Sequence, residues 1–106
     1  MIFKGKTVLF DNPPVITASA GVGGKKEGEG PLRNEFDEVF DDTTMGQESF
    51  EQAESALLKN AVIRALTKAN KSAADVDFIM TGDLLNQCTG SCFALKDLEI
   101  AFIVMY

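Results

Sequence analysis

The sequence predicts a mixed α/β fold, and three patterns along the chain support this. A long amphipathic helix pattern covers residues 49–70. A strand pattern at 78–81 and an apolar run at 100–106 lie on either side of a helix pattern at 87–98. A strand, a helix and a strand at this spacing predict a right-handed βαβ unit with parallel strands. The 106 residues are therefore treated as one α/β domain.

Composition and charge exclude several classes of protein. The net charge is −6, and residues 27–54 hold ten acidic residues against one basic residue, Arg33, which gives that segment −9. The chain has no basic stripe that could neutralise phosphates, so nucleic acid is not an expected partner. No apolar stretch is long enough for a membrane helix or a signal peptide, which predicts a cytoplasmic protein or one peripheral to a membrane.

The residue types disfavour catalysis by this chain. Two cysteines without an export signal indicate free thiols in a reducing compartment. The chain contains no histidine, so it cannot supply the commonest general base or a Cys-His pair. Cys88 and Cys92 are four residues apart on one helix face, and small buried residues are the preferred interpretation over half of a zinc site. We expect no enzyme activity and no cofactor.

The amino-terminal half contains shorter elements. Residues 7–10 predict a strand, and residues 15–22 an extended run. The glycine-rich segment at 21–31 lacks the spacing of a P-loop or a dinucleotide fingerprint and is interpreted as a flexible loop. Residues 35–42 place apolar side chains at helical spacing and predict a short amphipathic helix with a solvated acidic face, which is preferred to a calcium loop.

The long helix has clear start and stop signals. Ser49 and Gln52 form a capping-box pattern, and Asn70 is a suitable left-handed stop. The apolar run at 100–106 is typical of a parallel strand that is covered on both faces. Burial of such side chains contributes roughly 1.5–3 kcal/mol each, so the run is expected in the middle of a sheet. The predicted helices and strands are too few to cover it there. The run therefore predicts a larger layered protein, of which these residues form about the first third.

A ligand site is predicted directly after the strand at 78–81. Asp83, Asn86 and Gln87 follow the carboxyl end of that strand and precede a helix, which is where α/β sheets bind ligands. The same three residues are also suitable helix caps and turn formers, and this alternative stays open. No metal site is predicted.

Several segments resemble the thiolase-like sporulation proteins of spore-forming bacteria. The resemblance runs in order along nearly the whole chain and covers about the first third of those proteins. Its most specific string is Gly82-Asp83-Leu84-Leu85-Asn86-Gln87, and the others are Gly5-Lys6-Thr7-Val8, Lys26-Glu27-Gly28-Glu29-Gly30-Pro31-Leu32, Phe36-Asp37, Ala53-Glu54, Asp75-Val76-Asp77 and Ile100-Ala101-Phe102.

This resemblance implies a thiolase fold of layered α/β/α/β/α architecture, of which the chain is part of the first half. It implies binding of dipicolinic acid or its calcium chelate, in support of dipicolinate uptake into the developing spore. It also implies work with other stage V sporulation A proteins at the spore inner membrane. The cysteine turn of the related enzymes falls after Tyr106, so neither Cys88 nor Cys92 inherits a nucleophile's role. Asp83, Asn86 and Gln87 are pocket-edge candidates, and the segment at 86–93 is expected near a homodimer contact.

Two other functions remain open at this point. One is a thiolase-class acyltransferase whose active site lies beyond residue 106. The other is a non-catalytic assembly fragment that uses its apolar strand to bind another chain, because unpaired strand edges template association.

Overall fold

The computed structural model describes residues 1–82 and 89–105, and at Thr89 it describes the backbone alone. Short 3-10 turns occur at Arg33–Glu35, Ala73–Asp75 and Lys96–Leu98. The helices and strands, in chain order, are β1 Ile2–Lys4, β2 Thr7–Leu9, β3 Val22–Gly23, α1 Lys25–Gly28, β4 Glu38–Val39, α2 Phe50–Lys68, β5 Phe78–Gly82, α3 Thr89–Leu95 and β6 Ala101–Met105.

Helix α2 begins and ends where the sequence predicts. The Ser49 hydroxyl accepts a hydrogen bond from the Gln52 amide at 3.2 Å, and the Gln52 side chain accepts from the Glu48 amide at 3.1 Å. At the other end Asn70 adopts a left-handed φ of 56°. The amides of Asn70 and Lys71 then bond back to the carbonyls of Thr67 and Leu66, which closes the helix with a Schellman motif.

Strands β5 and β6 are parallel, and α3 connects them, so the predicted βαβ arrangement is confirmed. Their register places Met80 opposite Ile103. Helix α3 packs on α2, and the small core that results contains the buried side chains of Ala53, Ala94, Leu95 and Ile100. Small residues on both helices allow this close approach.

The two faces of the β5–β6 sheet differ sharply in exposure. Ile79, Phe102 and Val104 are half-buried, and Thr81 is buried. The opposite face is exposed along both strands and carries large apolar side chains. We call it the open sheet face, and it consists of Phe78, Met80, Ile103 and Met105. The sequence predicts that β6 is covered on both faces. Within the described residues one face is partly covered, and the open sheet face is not.

The predicted helix at residues 35–42 is wrong. A 3-10 turn and β4 occupy this segment, and β4 pairs in parallel with β3. Two of the acidic side chains that were interpreted as a solvated helix face instead bridge to α2: Glu38 pairs with Arg64 and Asp37 pairs with Lys68. Strand pairing and these long-range ion pairs outweigh the local helical spacing of Phe36, Val39 and Phe40.

The segment at 21–31, which the sequence analysis interprets as a flexible loop, contains the short elements β3 and α1. Its glycines serve close packing. A Cβ on Gly28 would lie 2.7 Å from the Cγ1 atom of Val39, and one on Gly23 would lie 3.1 Å from the ring of Phe36. Glycine enrichment here reflects the short distance between α1, β3 and β4.

The first strands form a hairpin. Residues 7–10 were predicted as a strand, and β2 confirms this to Leu9, whereas β1 was not predicted. Gly5 has a φ of 62° in the two-residue turn, a conformation that favours glycine. The extended run predicted at 15–22 forms a strand only from Val22. No helix in the described part of the chain is both long and apolar enough to cross a bilayer.

Candidate functional site

The candidate site lies at the carboxyl edge of β5. This strand ends at Gly82, and the predicted site residues Asp83, Asn86 and Gln87 follow it directly. All three lie outside the described residues, so their role stays a prediction. The structure describes the residues on both sides of them, up to Gly82 at the end of β5 and from Thr89 at the start of α3.

Two hydrogen bonds fix the start of α3 to its neighbours. The Thr81 and Ser91 hydroxyl groups lie 3.1 Å apart, and both residues are buried. The Ser55 hydroxyl on α2 donates to the Gly90 carbonyl at 2.9 Å. Because these bonds tie α3 to both β5 and α2, they hold the two ends of the connection at a fixed distance.

A cavity of about 210 Å³ opens at this edge of the sheet. Among the described residues that line it, Glu54 is the one charged residue, and the others are apolar or glycine. The lining residues are Val22, Glu54, Leu57, Leu58, Ala61 and Gly82. A Cβ on Gly82 would lie 3.1 Å from the Met105 carbonyl, so glycine permits the close approach of the strand ends.

One of the two cysteines lies in the described part of α3. Cys92 is a free, half-buried thiol in the second turn of α3. Cys88 lies outside the described residues, so the predicted sharing of one helix face is not tested. Among the described residues, no three or more carboxylate, thiol or imidazole groups come close enough together to hold a metal ion.

A second cavity, of about 300 Å³, lies on the other side of the α2–α3 pair. Lys59 and Lys96 line it together with Phe93, and the Lys96 ammonium lies 5.0 Å from the centre of the Phe93 ring. Lys59 also pairs with Asp97 at 3.2 Å. No local sequence pattern indicates this cationic groove, because its residues come from two helical segments that are far apart in the chain.

An ion-pair cluster attaches β4 to α2. The Lys68 ammonium pairs with Asp37 and donates to the Ser19 carbonyl at 3.0 Å. The Gly21 amide also donates to Asp37, at 2.7 Å. The hydrogen bond from Lys68, followed by that from Gly21, lowers the pKa of Asp37 below its ordinary value of 3.8. This cluster positions β3 beside the cavity at the strand edge.

These features define a mixed α/β protein with a parallel βαβ unit and a ligand-sized cavity at its strand ends. Comparison with known proteins identifies the family. The family model described as Stage V sporulation protein AD matches residues 4–106. The chain therefore belongs to the stage V sporulation protein AD family, a family of sporulation proteins.

A curated member of this family matches the whole chain. It is stage V sporulation protein AD of Bacillus subtilis (strain 168), which is 36% identical over 107 residues. The alignment covers 100% of this chain and 32% of that protein. The chain thus spans about a third of the length of the curated relative that it matches.

Proposed function

We propose that this chain contributes one edge of a site for dipicolinic acid, as its calcium chelate, in a protein that supports dipicolinate uptake into the developing spore. The observation that carries the proposal is the family match over residues 4–106. The proposed site is the cavity at the carboxyl edge of β5, completed by Asp83, Asn86 and Gln87. Such edges are where α/β sheets bind ligands.

The charge at this cavity favours the calcium chelate over the free acid. Glu54 is the charged residue among those that line it. A carboxylate repels the dipicolinate dianion, whereas it is an oxygen ligand of the type that calcium prefers. The apolar wall formed by Leu57, Leu58 and Val22 suits the pyridine ring. Binding should therefore require calcium.

The proposal includes a thiolase-like layered architecture without catalysis by this chain. The open sheet face supports the layering, because parallel sheets in α/β proteins are covered on both faces. The sequence contains no histidine, so this chain does not itself supply the commonest general base for acyl transfer. Work at the spore inner membrane with other stage V sporulation A proteins follows from the resemblance alone.

Titration calorimetry tests the proposal. Dipicolinate, which is pyridine-2,6-dicarboxylate, is titrated into the chain with and without calcium. The control ligand is pyridine-3,5-dicarboxylate, which has the same charge but cannot chelate calcium through its ring nitrogen and both carboxylates. We expect saturable heat with dipicolinate and calcium together. Equal heats for the two isomers, or none for either, would reject the proposal.

A second candidate function is assembly with another protein chain. The open sheet face favours it: Met80 and Ile103 are 60% and 53% exposed at neighbouring positions. Contiguous apolar surface of this kind marks interaction sites. Substitution of Met80 and Ile103 by lysine should then abolish capture of the partner without unfolding the chain, whereas unchanged capture would reject this candidate.

A further inference from the structure

The β1–β2 hairpin exposes apolar side chains on both of its faces. Ile2 pairs with Leu9 on one face and Phe3 pairs with Val8 on the other, and all four are exposed. Phe3 is 69% exposed. A two-stranded hairpin is at best marginally stable in water unless a hydrophobic face is covered. A hairpin that is apolar on both sides therefore requires a partner surface.

The hairpin is also positively charged, on a chain whose net charge is −6. The terminal ammonium group of Met1 pairs with Asp11, so these two charges cancel. Lys4 and Lys6 remain on either side of Gly5 at the turn. The hairpin therefore combines exposed apolar side chains with a charge of +2 at its tip.

A complementary surface exists elsewhere on the same molecule. A cavity of about 300 Å³ lies between the loop at 42–45 and α2. We call it the acidic groove. Its apolar wall includes Phe50, which is 63% exposed, and its carboxylates are Asp42 and Glu54. The remaining lining residues are Gly24, Phe40, Thr43, Met45, Ala53 and Leu57.

The charge of the acidic groove persists at neutral pH. It lies within residues 24–57, a stretch that contains the whole 27–54 segment with its net charge of −9. Hydrogen bonds from the Thr44 amide and hydroxyl and from the Gly46 amide lower the pKa of Asp42. This carboxylate is therefore ionised, and it is fixed at the mouth of an apolar cavity.

We propose that the hairpin of one copy of this chain docks into the acidic groove of a second copy. Ile2, which is 59% exposed and lies on the same face of the hairpin as Lys4, occupies the cavity, and Lys4 and Lys6 face its carboxylates. Charge complementarity selects this occupant, because the groove is acidic and the hairpin carries an exposed positive charge. The contact joins two different surfaces, so it is heterologous. This inference goes beyond the proposed ligand site. Glu54 and Leu57 line both cavities, whereas Asp42, Thr43 and Phe50 line the acidic groove and not the ligand cavity.

The experiment measures association by sedimentation equilibrium. A hairpin variant carries Lys4→Glu and Lys6→Glu, and a groove variant carries Thr43→Arg, which adds a cation to an exposed position at the groove. Each variant alone should associate at least ~10-fold more weakly than the parent chain, because charge pairs across an interface are lost. An equimolar mixture should form a 1:1 dimer, since each partner keeps one intact surface.

Two further samples keep the test decisive. Lys71→Glu with Lys96→Glu makes the same change in net charge away from both surfaces and should associate like the parent chain. Ile2→Ser removes the apolar anchor without changing charge and should weaken association by ~10-fold. A monomeric parent chain at millimolar concentration would overturn the inference, as would a monomeric mixture or a hairpin variant that associates normally. Circular dichroism confirms that each variant is folded.

Discussion

The hydroxyl groups of Thr81 and Ser91 lie 3.1 Å apart in the buried interior and join the end of β5 to the first turn of α3. This contact frames the segment that carries Asp83, Asn86 and Gln87. The bond from Ser55 to the Gly90 carbonyl also ties α3 to α2. The candidate site therefore depends on a few polar contacts inside a small core.

Removing one member of the hydroxyl pair should destabilise the protein. Ser91→Ala or Thr81→Val leaves a buried polar group with one partner fewer, which costs about 1–3 kcal/mol. Urea unfolding measures this cost. The double variant should be less destabilised than the sum of the two single variants. Thr17→Val, at an exposed position, serves as the control and should change little; strictly additive effects at Thr81 and Ser91 would contradict the assigned contact.

The close packing of Gly28 against Val39 predicts that a larger side chain at position 28 destabilises the protein. Gly28→Ala places a methyl group 2.7 Å from the Cγ1 atom of Val39 and should cost about 1–3 kcal/mol through overpacking. Gly24→Ala is the matched control, because a Cβ there meets no atom within 4 Å. Val39→Ala should partly rescue Gly28→Ala in a double-mutant cycle. If both glycine variants unfold at the same denaturant concentration, the segment is not packed as described.

Asp37 predicts a pH dependence of stability. Its pKa is lower in the folded protein than its ordinary value of 3.8, so its stabilising contribution is complete above that pH. The contribution is lost as the pH falls through the lower folded pKa. Asp37→Asn should therefore be less stable than the parent chain at pH 7, and the difference should disappear in strong acid.

Unfolding curves at several pH values measure how the stability difference between Asp37→Asn and the parent chain changes with pH. Lys68→Met removes the partner of Asp37, and its effect should not add to that of Asp37→Asn at pH 7. A difference between Asp37→Asn and the parent chain that grows as the pH falls below 3.8 would show that the ion pair is assigned wrongly.

The two faces of β6 should respond differently to truncation. Val104 is half-buried against the helices, so Val104→Ala should cost about 1 kcal/mol or more. Ile103 lies on the open sheet face, and Ile103→Ala should change the free energy of unfolding by less than about 0.5 kcal/mol. Equal costs at the two positions would mean that the open sheet face is covered in solution.

The sequence predicted the elements whose signals are local. Helix α2 has a hydroxyl cap at Ser49 and a left-handed stop at Asn70, and both act as expected. Strand β5 and the apolar strand β6 were likewise predicted from continuous short patterns. The parallel arrangement of β5 and β6 was predicted from the helix between them, because two strands joined through a helix have few possible topologies.

The failures have a common physical cause. At residues 35–42 the helical spacing competes with pairing of β4 on β3 and with ion pairs to Arg64 and Lys68, which come from distant parts of the chain. The glycines at 23 and 28 were interpreted as flexible, although packing against Phe36 and Val39 requires them. The site at Asp83, Asn86 and Gln87 stays a prediction from strand position, whereas the cavity beside the end of β5 is lined by Val22 and Glu54, which no local pattern indicates.

Ligand binding itself predicts a result for Glu54. Glu54→Gln should weaken binding of the calcium chelate by ~10-fold, because a calcium-facing carboxylate becomes neutral. Glu51→Gln, one helical turn earlier on α2, is the matched control and should bind like the parent chain. Competition titrations measure the dissociation constant of the calcium chelate for each of the two variants. Equal affinities for the two variants would remove Glu54 from the site.

Amide resonances followed by nuclear magnetic resonance test the central claim most directly, since they locate a ligand at the strand edge or elsewhere. Calcium dipicolinate should shift the amide signals of Gly82 and Gly90, and pyridine-3,5-dicarboxylate with calcium should leave them in place. Shifts confined to the groove of Lys59, Phe93 and Lys96, or no shifts at all, would contradict a dipicolinate site at the carboxyl edge of β5.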